Sequence, residues 1–482
     1  MSRSRGLFVL LFFFMLAVPV ILSQEGDQNA DKIQVLQKQL DEMKKQMVDV
    51  QAQIAEFSGG KVPATTSRGV PKEETAAEQA AALHIAPAAQ QTTAAATYQT
   101  DNQDQVAAPR MDNAPLDPKY PGYFRLPGTS TMMKIGGYFK TDFVYDLKPA
   151  GDSDRFIPST FPIPTPPGVN NSTLSIRPTR LNLDFLIPVS SASVRFFIEG
   201  DMFGSSSTTP RLRHAYAQVK NFLIGQSFSN FMDPDAGPDT LEFQGPNSQV
   251  SIRNPQLRYS FRLSEKTNLR ISVEKASSDV AFKTPEFSAL PNAPSPDGVV
   301  TFRNDNITGH IQISGLFRSV AAYLPDGRNE SVFGWGINAA GAFKLFSKDM
   351  FVYQGAYGTG IERYVNDTSG LGIDAAVTDA SRPHLKPVPL TATYGAYQHY
   401  WTKKVRSSLI YGFAQTQNTD LQSGSAFHQS NYSAANVIWN PFGSLNVGGE
   451  FLYGWIVKKD NSGANAARFI FSAKYSFVKS GT

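Results

Sequence analysis

The chain has 482 residues, with 45 Lys and Arg against 41 Asp and Glu, a net charge of +4. It is longer than one small domain needs, and so slight a charge excess does not argue for a nucleic-acid partner. Cysteine is absent, which excludes disulfides, thiolate metal sites and thiol catalysis.

In chain order, Arg3 and Arg5 precede an apolar run from Leu7 to Leu22 that ends at Ser23. A charged start before a short apolar stretch predicts a secretory signal peptide over 1–23, cleaved after Ser23. Ser4 separates the two arginines, so the signal is of Sec rather than twin-arginine type. As an uncleaved anchor the run would fall short of the roughly 20 residues a spanning helix needs. No later stretch approaches that length. Mean hydropathy is −0.26, which suits a soluble protein and equally a β-barrel with half of each strand facing water.

Residues 31–58 predict a short coiled coil. Ile33, Leu36, Leu40, Met43, Met47, Val50, Ile54 and Phe57 alternate in spacings of 3 and 4, the a and d positions of a heptad. A period of 3.5 needs a partner helix to cover its seam. The alternative is a single amphipathic helix on a membrane or barrel, because so few heptads are marginal alone. Residues 59–127 form a linker rich in Ala, Thr, Pro and Gln, with too little apolar area to offset the entropy of ordering.

From about residue 134 the apolar period becomes two. In 445–457 one face is Leu445, Val447, Gly449, Phe451, Tyr453, Trp455 and Val457. The other is Asn446, Gly448, Glu450, Leu452, Gly454 and Ile456. Repeated along the chain, this pattern predicts an all-β transmembrane barrel over 128–482. The expected strands are 134–146, 179–187, 193–203, 211–220, 221–230, 249–262, 268–276, 305–314, 315–324, 332–346, 350–364, 390–401, 404–415, 430–439, 445–457 and 466–477. These are about 16 antiparallel strands. Short links such as Thr402-Lys403 and Asn440–Gly443 alternate with long ones at 147–173, 277–304, 365–389 and 416–429. That alternation matches periplasmic turns and extracellular loops. The last strand sets Phe469, Phe471, Tyr475 and Phe477 on one face. Barrel-assembly machinery reads such terminal aromatics, although Val478–Thr482 follow here.

Strand parity then sorts the charges. A charge facing lipid at mid-membrane costs roughly 2–4 kcal/mol, so Lys134, Lys140, Asp142, Arg180, Asp184, Arg195, Glu199, Asp201, Arg270 and Glu274 are expected inside. Pro255 is expected to shift the register of its strand, with Arg253 inward before it and Arg258 and Arg262 inward after it. Arg318 and Arg406 follow the same logic. The candidate solute-binding wall is Lys140, Arg180, Arg195, Arg253, Arg258 and Arg270, whose planar forks suit carboxylates. The plainer reading is that these charges pair with neighbouring acids. The link 228–248 carries Asp233, Asp235, Asp239 and Glu242. It is expected to fold inward as a constriction, its carboxylates opposite the arginines.

Asp154–Thr160, Val194–Asp201, Leu212–Tyr216, Gly225–Asp233 and Gln249–Tyr259 resemble the DcaP-like family of outer-membrane porins, as does the coiled coil before the barrel. The resemblance covers nearly the whole mature chain. It implies a trimeric, 16-stranded porin passing small anionic solutes such as dicarboxylates. Carried over by position, Arg195, Arg253 and Arg258 line the arginine wall, and Asp233 and Asp235 belong to the constriction loop.

No catalytic pattern appears. None of the six His residues forms a zinc-binding pair. His310 with Ser314 is the nearest approach to a hydrolase dyad and reads as lumen wall. No cofactor, metal or nucleic acid is expected, and the linker is too polar to fold as a plug. The expected setting is the bacterial outer membrane, with coiled coil and linker in the periplasm. Two alternatives remain. Inward aromatics at Tyr138, Phe197 and Phe203 would suit a carbohydrate porin, and the coil and tether would suit a structural envelope protein anchored by its barrel.

Overall fold

The computed structural model describes residues 122–477, apart from 190–191, 206–207, 282–289, 325, 347 and 379–381. The signal peptide, the coiled coil and all but the end of the linker lie outside the described residues.

Among the described residues, sixteen long strands form the wall. They are β1 (Met132–Lys148), β2 (Arg180–Val189), β3 (Ala192–Asp201), β4 (Arg211–Val219), β5 (Phe222–Phe228), β6 (Arg253–Arg262), β7 (Thr267–Glu274) and β8 (Asp297–Asn306). Then follow β9 (Gly309–Tyr323), β10 (Asn329–Leu345), β11 (Asp349–Thr359), β12 (Pro389–Tyr400), β13 (Val405–Thr416), β14 (Phe427–Phe442), β15 (Leu445–Lys458) and β16 (Gly463–Ser476). Each pairs antiparallel with the next. β16 pairs back onto β1, with Phe143 opposite Phe471 and Tyr138 opposite Ser476, which closes the barrel. Closure leaves no open edge, the condition for strands to cross hydrocarbon.

Burial along each strand is the inverse of a soluble sheet. In β6, Leu257, Tyr259 and Phe261 are exposed while Asn254, Gln256, Arg258 and Ser260 are buried. In β15, Phe451 and Tyr453 point out while Glu450, Leu452 and Ile456 point in. Apolar residues outside and charged ones inside fit a wall with lipid on its outer surface.

Several expected boundaries move. The segment 305–314 is not one strand, because the chain turns after Asn306. Asn306 Oδ1 accepts from the backbone N–H groups of Thr308 and Gly309 at 2.8 and 3.0 Å. β8 therefore occupies 297–306, inside a segment expected to be loop, and β9 runs through Gly315 without a break. The expected strand 350–364 ends at Thr359, where Gly360 turns the chain at φ +69°. The expected strand 249–262 begins only at Arg253. Pro255 shifts nothing: β5 and β6 pair continuously from Phe222–Tyr259 to Phe228–Arg253. The Pro255 carbonyl accepts from Lys275 N at 2.8 Å on the β7 side. The missing N–H thus falls at the end of the β6–β7 ladder, where proline is tolerated. The end of the linker also joins the sheet, as Phe124–Arg125 pairs with Met132–Met133.

The interior is divided. The segment 229–252, between β5 and β6, folds into the barrel, and most of it is buried. A buried loop must find partners for its backbone polar groups. Here the wall supplies them, nearly one inward side chain per strand. Gln312 donates to Met232 O at 3.0 Å and Asn338 to Phe231 O at 2.8 Å. Gln354 donates to Ser248 O at 2.9 Å and accepts from Val250 N at 3.0 Å. Tyr394 donates to Ala236 O at 2.7 Å and Asn436 to Asp239 O at 2.7 Å. Glu450 accepts from the N–H groups of Leu241 and Glu242, both at 2.9 Å. Between these anchors Phe231, Met232, Ala236, Leu241 and Val250 pack on Ala340, Val352, Leu390, Ile410, Ile438 and Leu452 in one buried cluster. Loop 360–374 joins them through Val250–Val365 pairing, and Phe156 from the first long loop packs in the same cluster. The inner face of β8–β15 is therefore largely a core, and the open lumen is left mainly to β1–β6 and β16, with Arg406, Ile438 and Asn446 of β13–β15 also lining it.

Candidate pore constriction

Between the in-folded loop and the wall lies an open pocket of about 920 Å³ of empty space, the solvent at its mouth included. Six cations line it, Lys140, Arg180, Arg213, Arg253, Arg406 and Lys474, against two carboxylates, Asp239 and Glu242. The elements that deliver these residues explain the excess. β1 and β2 present Lys140 and Arg180 by simple alternation. β4 carries a bulge: Glu199 lies opposite His214, but Gly200 lies opposite Leu212, so Arg213 is an extra residue. A bulge lets two successive side chains face one way, and both Arg213 and His214 are buried inside. Arg253 is the first residue of β6, where the chain enters the wall from the loop, and its guanidinium lies 5.4 Å from the Phe228 ring.

The cations are not a bare ladder. Arg195 donates two hydrogen bonds to Asp184, the Nε one at 2.8 Å, and does not line the cavity. Arg213 binds Glu199 at 3.0 Å and Asp201 at 2.7 Å. Arg270 hydrogen-bonds Gln312, and Arg258 is buried on β6 away from the cavity. Arg318 is tied to Asp374 at 3.1 Å beneath the loop 360–374. Arg262 has inward parity but ends its strand exposed. Lys140 Nζ reaches Asp142 at 3.0 Å and the Leu241 carbonyl at 2.5 Å, which ties β1 to the loop.

The loop carboxylates do not stand as a row opposite the arginines. Asp233 is fully buried and binds Arg303 at 3.0 Å and His310 at 2.8 Å on the far side of the loop. Asp235 joins the same arginine at 3.1 Å. Asp239 faces the cavity but is bound to Arg406. Glu242 accepts from Phe156 N at 3.0 Å and Gly245 N at 2.6 Å. Burial pushes the Glu242 carboxyl up to about 7, against the lowering effect of those N–H groups. Parity reveals which residues face inward, but not that the loop's backbone and acids would claim most polar groups on one half of the wall.

Other inward groups find structural partners. His310 faces Asp233, while Ser314 Oγ accepts from Thr301 at 3.0 Å. The inward aromatics Tyr138, Phe197 and Phe203 are covered by guanidinium groups, from Arg180 at 5.5 Å, Arg195 at 5.5 Å and Arg177 at 4.6 Å respectively. They do not form the open ring surface along which a sugar would slide. Arg213 and the loop residue Phe243 escape a strict two-residue reading, the first because of the bulge and the second because it lies in no strand.

The model of the DcaP outer membrane protein family matches residues 126–477. The chain belongs to the DcaP outer membrane protein family. Among solved structures, the outer membrane channel DcaP of Acinetobacter baumannii superposes with a TM-score of 0.65 at 24% identity, over 73% of this chain and 99% of that one. The anion-selective porin from Comamonas acidovorans gives a TM-score of 0.48 at 9% identity, over 72% of this chain and 100% of that one. OmpT of Vibrio cholerae gives 0.46 at 10% identity, over 73% and 99%. No curated protein matches the chain. This DcaP-family chain is thus an outer-membrane porin, with the closed barrel described above.

Proposed function

We propose that this DcaP-family porin is a trimer that passes small anionic solutes, dicarboxylates in particular, by passive diffusion and without catalysis. The observation that carries the reading is the lining of the constriction, six cations against two carboxylates. Neither carboxylate opposes a passing anion at full strength. Asp239 is neutralised by Arg406, and Glu242 is held by backbone N–H groups with its ionisation disfavoured by burial. Guanidinium groups present several donors in a plane and suit a carboxylate at each end of a short diacid.

The trimer reading is supported by the height of the wall. β4, β5 and β7 have 9, 7 and 8 residues, whereas β1 and β10 have 17. At ~3.3 Å per residue and a tilt of ~40°, seven residues rise about 18 Å, less than the apolar band of ~25 Å that lipid requires. Yet this low wall is apolar outside, with Phe222, Ile224, Leu257, Tyr259 and Ile271 exposed. A neighbouring copy of the chain would cover it. The coiled coil, in the periplasm, would then hold the copies together.

The test is the reversal potential of single channels under a salt gradient, with R180Q and R253Q beside the unaltered protein. An anion-selective potential, weakened in both variants, and current block by succinate are expected. A cation-selective sign in the unaltered channel would refute the reading.

A further inference from the structure

The in-folded loop is anchored to one half of the barrel, but its residue Phe243 reaches the other half. The Phe243 ring stacks on Phe203, two residues past the end of β3, with centroids 4.2 Å apart and planes 24° apart. Guanidinium groups flank this pair on both sides. Arg180 and Arg213 lie 5.2 and 5.6 Å from the Phe243 ring. Arg177 and Arg211 lie 4.6 and 5.5 Å from Phe203. The series continues through Arg180 to the Tyr138 ring at 5.5 Å, which Lys474 meets at 5.4 Å. A guanidinium within about 6 Å of a ring centroid is attracted by the ring quadrupole.

Two kinds of partner therefore compete for the same arginines. Glu199 and Asp201 bind Arg213 from the wall, and a carboxylate cancels the positive potential it binds. An aromatic ring orients a cation and leaves its full charge to act on a third group. Arg180 and Arg213 both line the cavity, and so does Phe243. The ring is half-buried, whereas the two arginines are buried at 5% and 3% exposure. A loop residue whose remaining neighbours are anchored on β8–β15 and Lys140 thus holds the two arginines at the cavity's edge.

We propose that Phe243 is a specificity-determining positioning residue. Through its ring it holds the Arg180 guanidinium at the cavity, turned toward the passing anion. The inference rests on the anion-porin reading. An aliphatic side chain of similar volume would fill the space but lack the quadrupole, and the Arg180 guanidinium would turn toward Glu199 and Asp201, the acids that already hold Arg213. Selectivity should then fall although the loop stays docked.

The experiment compares the unaltered trimer with F243L, F243M, F243Y and F243W in planar bilayers. It reads reversal potential under a salt gradient and unitary conductance, after heat-modifiability on gels shows each barrel folded. F243L and F243M should lower the anion-to-cation permeability ratio by about two- to fivefold, the size expected for weakened, partly solvated cation–π contacts. F243Y and F243W should keep the ratio of the unaltered protein. If the unaltered channel is anion-selective and F243L and F243M match it, with only conductance changed, Phe243 is a spacer and the inference is refuted. It is refuted equally if Tyr and Trp lower the ratio as much as Leu. An unaltered channel that is not anion-selective removes the underlying reading, and with it the role assigned to Phe243.

Discussion

The constriction loop should come loose when Glu450 is changed, while the wall beneath it stays intact. Glu450 accepts from Leu241 N and Glu242 N, both at 2.9 Å, and from Asn436 Nδ2 at 2.9 Å. E450A leaves two buried backbone donors without an acceptor. Each orphaned group costs about 1–3 kcal/mol, so the docked loop loses about 2–6 kcal/mol. E450Q keeps one amide oxygen as acceptor and turns an N–H₂ toward the other donor, for about half that loss. At about 1.4 kcal/mol per factor of ten, the undocked fraction should rise roughly 30-fold or more in E450A and less in E450Q. β15 itself keeps its ladders, with Asn436 opposite Glu450 on one side and Phe451 opposite Phe469 on the other. Two assays read the loop directly. One is open-channel current noise. The other is chymotrypsin cleavage of the detergent-solubilised protein, because the loop offers Phe231, Leu241 and Phe243 but no trypsin site. Noise and cleavage should both rise in the order unaltered, E450Q, E450A. Unchanged noise and cleavage in E450A would show that the loop is held by its apolar packing alone.

Three further outcomes are expected. D233N removes the charge that binds buried Arg303 and His310. Because Arg303 keeps Asp235 and Asp305, the cost should be about 2–3 kcal/mol, at or below the low end for a broken buried pair, read as earlier loss of chymotrypsin protection in urea. Burial raises the Glu242 carboxyl to about 7 and that of Asp367 to about 6. A group with a raised folded pKa stabilises the fold below its unfolded value and loses that contribution as pH rises through the folded one. Loop protection should therefore fall between pH 5 and 8, and E242Q should flatten that slope; a steeper loss at acid pH would contradict the assignment. Finally, if the proposed trimer forms through the low wall, I224W and I271W should break it into monomers on mild gels. I337W, exposed on β10, should not, and equal behaviour of all three would place the interface elsewhere.

Strand period alone revealed the barrel because the membrane imposes it: at each position one face meets hydrocarbon and the other does not. Alternation placed Lys140, Asp142, Arg180 and Glu450 inward, and all are buried inside the wall. The same rule fails at two places where the chain departs from period two. At Asn306–Gly309 a side-chain-bonded turn ends β8 inside a segment expected to be one strand, and β8 itself begins within an expected loop. At Arg213 a bulge adds a residue and doubles the inward charge on β4. Loop direction was legible only in outline. The segment 229–252 has the acids expected of a constriction, but nothing in its pattern says that Asp233 would turn to Arg303 and His310 rather than to the pore.

That gap has a physical source. A polar residue at an inward position has two possible partners, water in the lumen or the backbone of a loop folded against it. Gln312, Asn338, Gln354, Tyr394, Asn436 and Glu450 look in sequence like ordinary lumen wall, and each binds the loop instead. Around them the inward positions are small or apolar, such as Ala340, Ala356, Ala392 and Leu452, because a loop packed against the wall leaves little room and no water. One half of the barrel is thereby given over largely to holding the loop in place, and most cations of the cavity lie on the other half, with Arg406 of β13 the exception. It follows that changes on β9–β12, which contribute no cation to the cavity lining, will alter ion selectivity to the extent that they move Phe243 and Glu242. The cleanest sign of that coupling would be N338A or Q354A shifting the reversal potential while leaving every charge in the pore unchanged.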